Sequence, residues 1–409
     1  MKLLIVAMAN SVHVARWISL VSDQGWDIYL FPTNSFTSIY PEMPPVNICS
    51  SKFLRFLINR YKSKKTVIKI PDFLLDGNTN FFSWGDVIKK IFPERRTEKL
   101  LSLIKRIKPD LIHSMHIQEA GYLTLEAKKR YKGAFPKWLV TNWGSELNLF
   151  SKVSGHKEKI MDVLSNCDYL SGECSKDIKI AKKLGFKGRF LTVIPVSGGI
   201  DFEKINRIKK PGLTSRKRNI MLKGYQNWAG RALVGLRALE RCSDVLKGYR
   251  ILIYCVNTID VIIAAELFTQ NTGVETFVIP LGSTSHDEIL SYHGSARISI
   301  GLSITDAIST SLLEAMVMGS FPIQSDTSCA GEWFENGQTG ILVRPEDPED
   351  VEKAIRKALA DDDLVNRAAQ LNYEMLFNRL EYSKIKNKVI SIYKNLVSDT
   401  NQNNKNKEL

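Results

Sequence analysis

Apolar positions along the chain come in short blocks rather than long runs. Leu3-Leu-Ile-Val-Ala7 reads as a buried strand, and a helical stretch carrying His13, Arg16, Trp17, Leu20 and Val21 follows and ends at Gly25. Asp27-Ile-Tyr-Leu-Phe31 reads as the next strand. A strand, a helix and a strand within about 30 residues form a βαβ unit with parallel pairing. The pattern returns at 98–113, with a helix over Glu98–Lys108 and a strand at Pro109–His113, and again at Trp138–Thr141. A second series begins near residue 215. Strands are expected at 219–222, 250–254, 277–279, 298–300 and 321–323, and helices at 232–246, 261–268, 311–318 and 348–359. Two successive strand–helix series joined by the basic stretch Lys204–Arg218 predict two α/β domains with a cleft between them.

Length and composition agree with that picture. The chain has 409 residues, 44% hydrophobic and 24% charged, which suits a globular protein and excludes collagen, coiled coil and global disorder. No apolar stretch is long enough to span a bilayer, and no secretory signal is expected after Met1-Lys2. Six scattered cysteines (49, 167, 174, 242, 255 and 329) form no CxxC, so reduced thiols in a cytosolic protein are expected. The net charge of +14 points to an anionic partner. Ser51–Lys69 holds seven Lys/Arg and no acid, with aromatic and aliphatic residues interleaved, and reads as a basic amphipathic segment for an anionic membrane surface. No nucleic-acid module is recognisable, and Asp361–Asp363 reads as a solvated helix end.

In open α/β sheets, ligands sit beyond the carboxyl ends of the strands. After the first strand come Asn10, Ser11 and His13, which suit either helix capping or a hydroxyl or anion contact. After the strand ending at His113 comes Ser-Met-His116. Two histidines without a third nearby ligand make a poor metal site, and either imidazole suits a hydrogen-bonding role, in the core or against a sugar. Asn142-Trp143-Gly144-Ser145-Glu146 combines close approach, a flat apolar face and an acceptor, a set that suits a polyhydroxylated ligand. Ser309, Thr310 and Ser311 fall where a helix begins, so their amides and hydroxyls suit a diphosphate. Asp306 and Glu314 flank that helix tip. Ser311-x-x-Glu314 also fits a plain capping box. Lys223 and Arg231 supply cations in the same half.

The second half resembles the retaining GT-B glycosyltransferases of family GT4. The resemblance rests on Asp306-x7-Glu314, Gly319-Ser-Phe-Pro322, Gly331-Glu332 and Asn336-Gly337-Gln-Thr-Gly340. Weaker echoes are His13-x-x-Arg16-Trp17, Pro109-Asp110, Gly144-Ser145-Glu146 and Gly199-Ile200-Asp201. The resemblance implies two Rossmann-like domains, an acceptor domain over 1–205 and a nucleotide-sugar domain over 206–380. A crossover helix at 381–399 and a disordered tail at 400–409 complete the expected layout. By position it implies Glu314 on the ribose, Asp306 on the donor sugar and Ser309–Ser311 on the diphosphate. Arg231 and Lys223 would neutralise charge, and His116, favoured over His113, would lie near the reacting carbon. Asn10, Ser11, His13, Trp143 and Glu146 are the candidate acceptor contacts. No metal or other cofactor is implied.

The expected activity is transfer of a sugar from a nucleotide diphosphate sugar to a hydroxyl acceptor. The charge of Ser51–Lys69 suggests a lipid-linked glycan of cell-surface polysaccharide assembly, at the inner membrane face. A nucleotide-sugar epimerase and a non-catalytic nucleotide-sugar-binding protein share the architecture and are the alternatives. The departures from the family pattern are Asp306 in place of Glu, Ser309 and its neighbours in place of glycines, and a first loop without Gly-Gly.

Overall fold

The computed structural model describes residues 1–33, 39–49, 94–327 and 329–405. The basic segment Ser51–Lys69 lies outside the described residues. The first sheet contains β1 (Lys2–Ala7), β2 (Asp27–Pro32), β3 (Asn47–Ile48), β4 (Leu111–Met115), β5 (Lys137–Thr141), β6 (Tyr169–Ser171) and β7 (Arg189–Phe190). Its order is β3-β2-β1-β4-β5-β6-β7. The second contains β8 (Asn219–Lys223), β9 (Arg250–Val256), β10 (Thr276–Pro280), β11 (Ala296–Gly301), β12 (Phe321–Ser325) and β13 (Ile341–Val343), in the order β10-β9-β8-β11-β12-β13. Every pairing within the two sheets is parallel.

The helices are α1 (Val12–Ser19), α2 (Glu94–Ile107), α3 (Tyr122–Arg130), α4 (Ser145–Asn148), α5 (Lys157–Asn166), α6 (Ser175–Lys183) and α7 (Phe202–Ile208). They continue with α8 (Ala232–Arg241), α9 (Ile259–Thr272), α10 (His286–Ser295), α11 (Thr310–Met318), α12 (Pro348–Ala360), α13 (Asp362–Leu380) and α14 (Tyr382–Lys405). Strands covered on both faces must be apolar throughout. In β1, Leu3 and Ile5 join the apolar cluster on one face, and Leu4 and Val6 the cluster on the other.

The chain passes from the first sheet to the second between Phe190 and Asn219, and α14 returns to the first sheet. Val389, Tyr393 and Leu396 of α14 are buried in one cluster with Trp17 and Leu20 of the α1 segment and Leu139 of β5. The Tyr393 hydroxyl fixes the seat. Trp17 Nε1 donates to it at 2.9 Å, and His113 Nδ1 lies 2.7 Å from it. The other ring nitrogen of His113 lies 2.6 Å from Thr141 Oγ1. His113 is therefore a sealed core histidine, and burial pulls its pKa down to about 3.

Three expectations are corrected. The helix expected over 232–246 stops at Arg241 and continues only as a 3₁₀ turn at Ser243–Val245. The last helix runs to Lys405 rather than ending before a disordered tail at 400, because no Gly or Pro interrupts 382–405. Asp361–Asp363 is a solvated helix end as expected, exposed at the C-terminus of α12, and Asp361 also caps α13 by accepting from Leu364 N. The cysteines are not all reduced, since Cys174 and Cys329, 155 residues apart, form a disulfide between the halves. Spacing along the chain gives no sign of that pair. Among the described residues no helix is long and apolar enough to cross a membrane.

Tyr393→Phe leaves Trp17 Nε1 and His113 Nδ1 without their partner. It is expected to cost about 1–3 kcal/mol of stability, read as a lower urea midpoint with an unchanged slope.

Candidate active site

Strand ends from both sheets converge on the tip of α11. Ser309 is its N-cap, but its hydroxyl does not cap the helix. It pairs instead with Ser311 Oγ at 2.8 Å and receives Lys223 Nζ at 3.2 Å. The first-turn amides of a helix lack intrahelical acceptors and carry the positive end of its dipole. With Lys223 placed there and no acid in the first turn, the tip is positively charged and rich in donors. Thr310 is the first helical residue, so Ser311-x-x-Glu314 is not a capping box. A true one occurs at Ser285 and Glu288.

The two acids that flank the tip have pKa values shifted in opposite directions. Burial raises the Asp306 pKa, while Lys223 and the Ala307 N–H, donating at 2.9 Å, pull it down. Burial also works to raise Glu314, but its bond to His286 and the nearby His286, His293 and Arg16 charges bring its pKa below the usual value. His286 Nε2 lies 2.6 Å from Glu314 Oε1. A carboxylate only accepts, so the proton sits on Nε2. Arg16 Nη2 approaches the same ring nitrogen at 3.2 Å, from the other half. Glu314 opens onto a cavity of about 210 Å³ whose lining includes Arg16, Gly199, His286, Thr310 and Tyr382.

Facing the tip, the first half presents three rings. Trp143 makes edge contacts with His13 at 5.7 Å and His116 at 5.4 Å between centroids. His13 Nδ1, His116 Nδ1 and Trp143 Nε1 are buried without a hydrogen-bond partner. Buried polar atoms of native proteins are nearly always paired, so three orphans on one set of packed rings are candidates for ligand contacts. Burial lowers His13 to a pKa of about 4, with help from Arg16, so its imidazole is neutral at pH 7. His116 adopts φ 107°, an unusual backbone that turns its ring out of the strand line.

The remaining sequence candidates fall in distinct places. Glu146 is fully buried, accepts from Ile117 N and Trp143 N, and lies 3.5 Å from His116 Nε2. It braces the loops that carry His116 and Trp143 rather than offering a free face to a ligand. Ser11 caps α1 by accepting from His13 N, and Asn10 is exposed. Arg231 is held by Glu346 at 3.0 Å and by carbonyls of its own loop, Asn227, Ala229 and Gly230. Lys223, not Arg231, is the cation on the tip.

Sequence reasoning missed His286, which opens α10 after an unremarkable polar loop, and an acidic layer behind the site. Glu173 is buried and accepts from Val196 N at 2.6 Å. Burial, with Asp306, Asp177 and Glu146 nearby, raises its pKa well above the usual value. Asp177 is pushed up to about 7, chiefly by burial. Among the described residues, Cys174, Asp177 and Cys329 are grouped closely enough to hold a metal, and the two sulfurs are joined as a disulfide.

Residues 264–375 match the sequence profile of the glycosyl transferases group 1, and residues 76–168 that of the glycosyl transferase 4-like domains. The chain is a GT4-like glycosyltransferase. The first match contains Asp306, Ser309 and Glu314, and the second contains His113 and His116. No curated protein sequence matches. Solved structures agree in fold. A sucrose-phosphate synthase from Thermosynechococcus elongatus superposes with a TM-score of 0.70 at 13% identity, over 98% of this chain and 100% of its own. HepE from Anabaena, in complex with UDP-glucose, gives 0.66 at 12% identity over 97% and 100%. A glycosyltransferase from Rickettsia africae gives 0.63 at 15% identity over 97% and 98%. These likenesses show that this glycosyltransferase has the GT-B fold, as its two parallel sheets require.

Because the folded-state pKa of Asp177 is raised from 3.8 to about 7, its contribution to stability is full below pH 4 and is lost as pH climbs through 7. Asp177→Asn is therefore expected to melt higher than wild type at pH 8, with the gap closing toward pH 4. Differential scanning calorimetry across that range checks it.

Proposed function

We propose that this glycosyltransferase takes its sugar from a nucleotide diphosphate sugar and passes it, with retention at the anomeric carbon, to a hydroxyl acceptor. The observation that carries this reading is the α11 tip, where Lys223 and paired serine hydroxyls face three orphaned ring nitrogens across the junction of the halves. HepE was solved with UDP and with UDP-glucose, and another structure of this fold, from E. coli, with UDP-2-fluoro glucose. Those ligands have the chemistry such a tip would hold.

In this reading the diphosphate rests on Ser309–Ser311 and Lys223. Glu314, kept ionised by His286, accepts from the ribose hydroxyls, and Asp306 contacts the donor sugar. His116 and the neutral His13 meet the sugar from the first half, with Trp143 as the apolar wall between them. As the glycosidic bond breaks, negative charge grows on the leaving diphosphate, and fixed amides and a cation stabilise it without reorganising. Arg231 contributes by holding its loop in shape. Transfer is proposed to proceed without a metal.

Glu314→Ala and Lys223→Ala are expected to fold normally and to lose about 10²–10³ in turnover of the cognate donor, a few kcal/mol of barrier. Added chelator should leave the wild-type rate unchanged. Full turnover in Glu314→Ala would remove the assignment, and NMR of the product's anomeric proton decides retention.

The basic segment Ser51–Lys69 supports a lipid-linked acceptor in surface-polysaccharide assembly, reached at the cytoplasmic face of the membrane. Flotation with liposomes should recover the protein with anionic vesicles and not with neutral ones. Equal recovery would favour an acceptor free in solution.

A further inference from the structure

The two halves also meet at a pair of aromatic rings outside the donor site. Trp228 projects from the loop after β8 and is 57% exposed, yet its ring lies 5.3 Å from that of Phe150 in the other half. The loop is built to present it. Asn227 Oδ1 accepts from Ala229 N and Gly230 N, and Gln226 N donates to Asn257 Oδ1. Ala229 O accepts from Ile304 N, and Gly230 bridges to Ser303, so the loop is tied to the segment that leads into Asp306. Phe150 follows α4, the helix that holds Glu146. The rings therefore stand on both lips of the candidate transfer site.

A polar group completes the pair. The Phe150 ring lies 5.3 Å from that of His156. Gln118 Nε2 and Tyr122 Oη both point at His156 Nδ1 at 3.1 Å. An amide nitrogen only donates, so Nδ1 accepts and the imidazole proton lies on Nε2. That N–H has no hydrogen-bond partner among the described residues. Gln118 itself is two residues beyond His116.

We propose that Trp228 and Phe150 form an acceptor platform, which stacks on the apolar C–H face of a pyranose ring while His156 Nε2 donates to one of its hydroxyls. A pyranose combines an apolar face with a polar edge, and the platform has both parts in reach of one ring. A polyprenyl chain would need a continuous apolar track, and here polar His156 and Gln118 sit beside Phe150 while Asn227 braces the Trp228 loop. The preformed loop reduces the ordering cost of binding. The occupant is named the acceptor on the strength of the transfer reading above, and the acceptor is thereby assigned to the saccharides.

The test uses the full chain labelled with 5-fluorotryptophan, with Trp228→Phe identifying the Trp228 fluorine signal. Maltotetraose, cellotetraose, chitotetraose and mannotetraose are titrated separately, and geranylgeranyl phosphate in micelles forms a further arm. At least one tetrasaccharide should shift the Trp228 signal saturably, and Trp228→Ala and His156→Ala should each weaken that binding by at least about tenfold with unchanged melting. Silence to all four sugars, or a response to the polyprenyl compound alone, overturns the proposal. UDP affinity, measured on the same samples by calorimetry, should be equal in wild type and Trp228→Ala. Absence of UDP binding in wild type would overturn the donor reading while leaving the platform result standing by itself.

Discussion

Gly144 sets how closely the two halves approach. It sits at φ 105°, and a Cβ there would overlap the backbone nitrogen of Ala307, one residue beyond Asp306. Any other residue would have to strain its backbone and push the loop after β5 away from the α11 tip. Trp143 precedes this glycine and Glu146 follows it. Because Glu146 accepts from both Trp143 N and Ile117 N, the loops after β4 and β5 are tied together. One backbone contact thus fixes His116 and Trp143 relative to Lys223 and Ser309, although they belong to different sheets.

The same junction controls charge. Glu146, Glu173 and Asp177 are buried behind it, with Asp306 beside them, and burial raises the pKa values of Glu173, Asp177 and Asp306. Asp306 and Glu314 flank one helix tip, and their pKa values are shifted in opposite directions because their surroundings differ. Asp306 faces the acidic layer and Lys223, while Glu314 faces His286 and Arg16. Environment rather than residue type separates their chemistry, as it does for paired carboxylates generally. On the far side, the Cys174–Cys329 disulfide and the Glu332 carboxylate, which accepts from Ser175 N and Oγ, bind the start of α6 to the second half. With α14 seated on Trp17 and His113, the halves are held together on both sides of the cleft.

Much of this was legible in the order of residues. Buried parallel strands are mostly apolar, so β1, β4, β5, β8, β9 and β11 stand out as short apolar blocks, and the polar residues directly after them fall at the candidate site because strands in such sheets end there. Asp306, Ser309 and Glu314 were legible for the same reason, since a helix start between two acids is a local pattern. The two-residue strands β3 and β7 were not, having too few positions for periodicity to act.

What only the tertiary structure decided depends on pairs far apart in the chain. His113 and His116 differ little in sequence, but Tyr393, 280 residues on, seals the first, and a positive φ turns out the second. Lys223 and Arg231 are both cationic, and Glu346 with three carbonyls holds the latter away from the tip. His286 gains its role only by meeting Glu314 and Arg16, and Cys174 its partner only by meeting the other half. Periodicity records which face of an element is covered. Which side chain covers it is set by how two sheets are placed against each other, and no local pattern contains that.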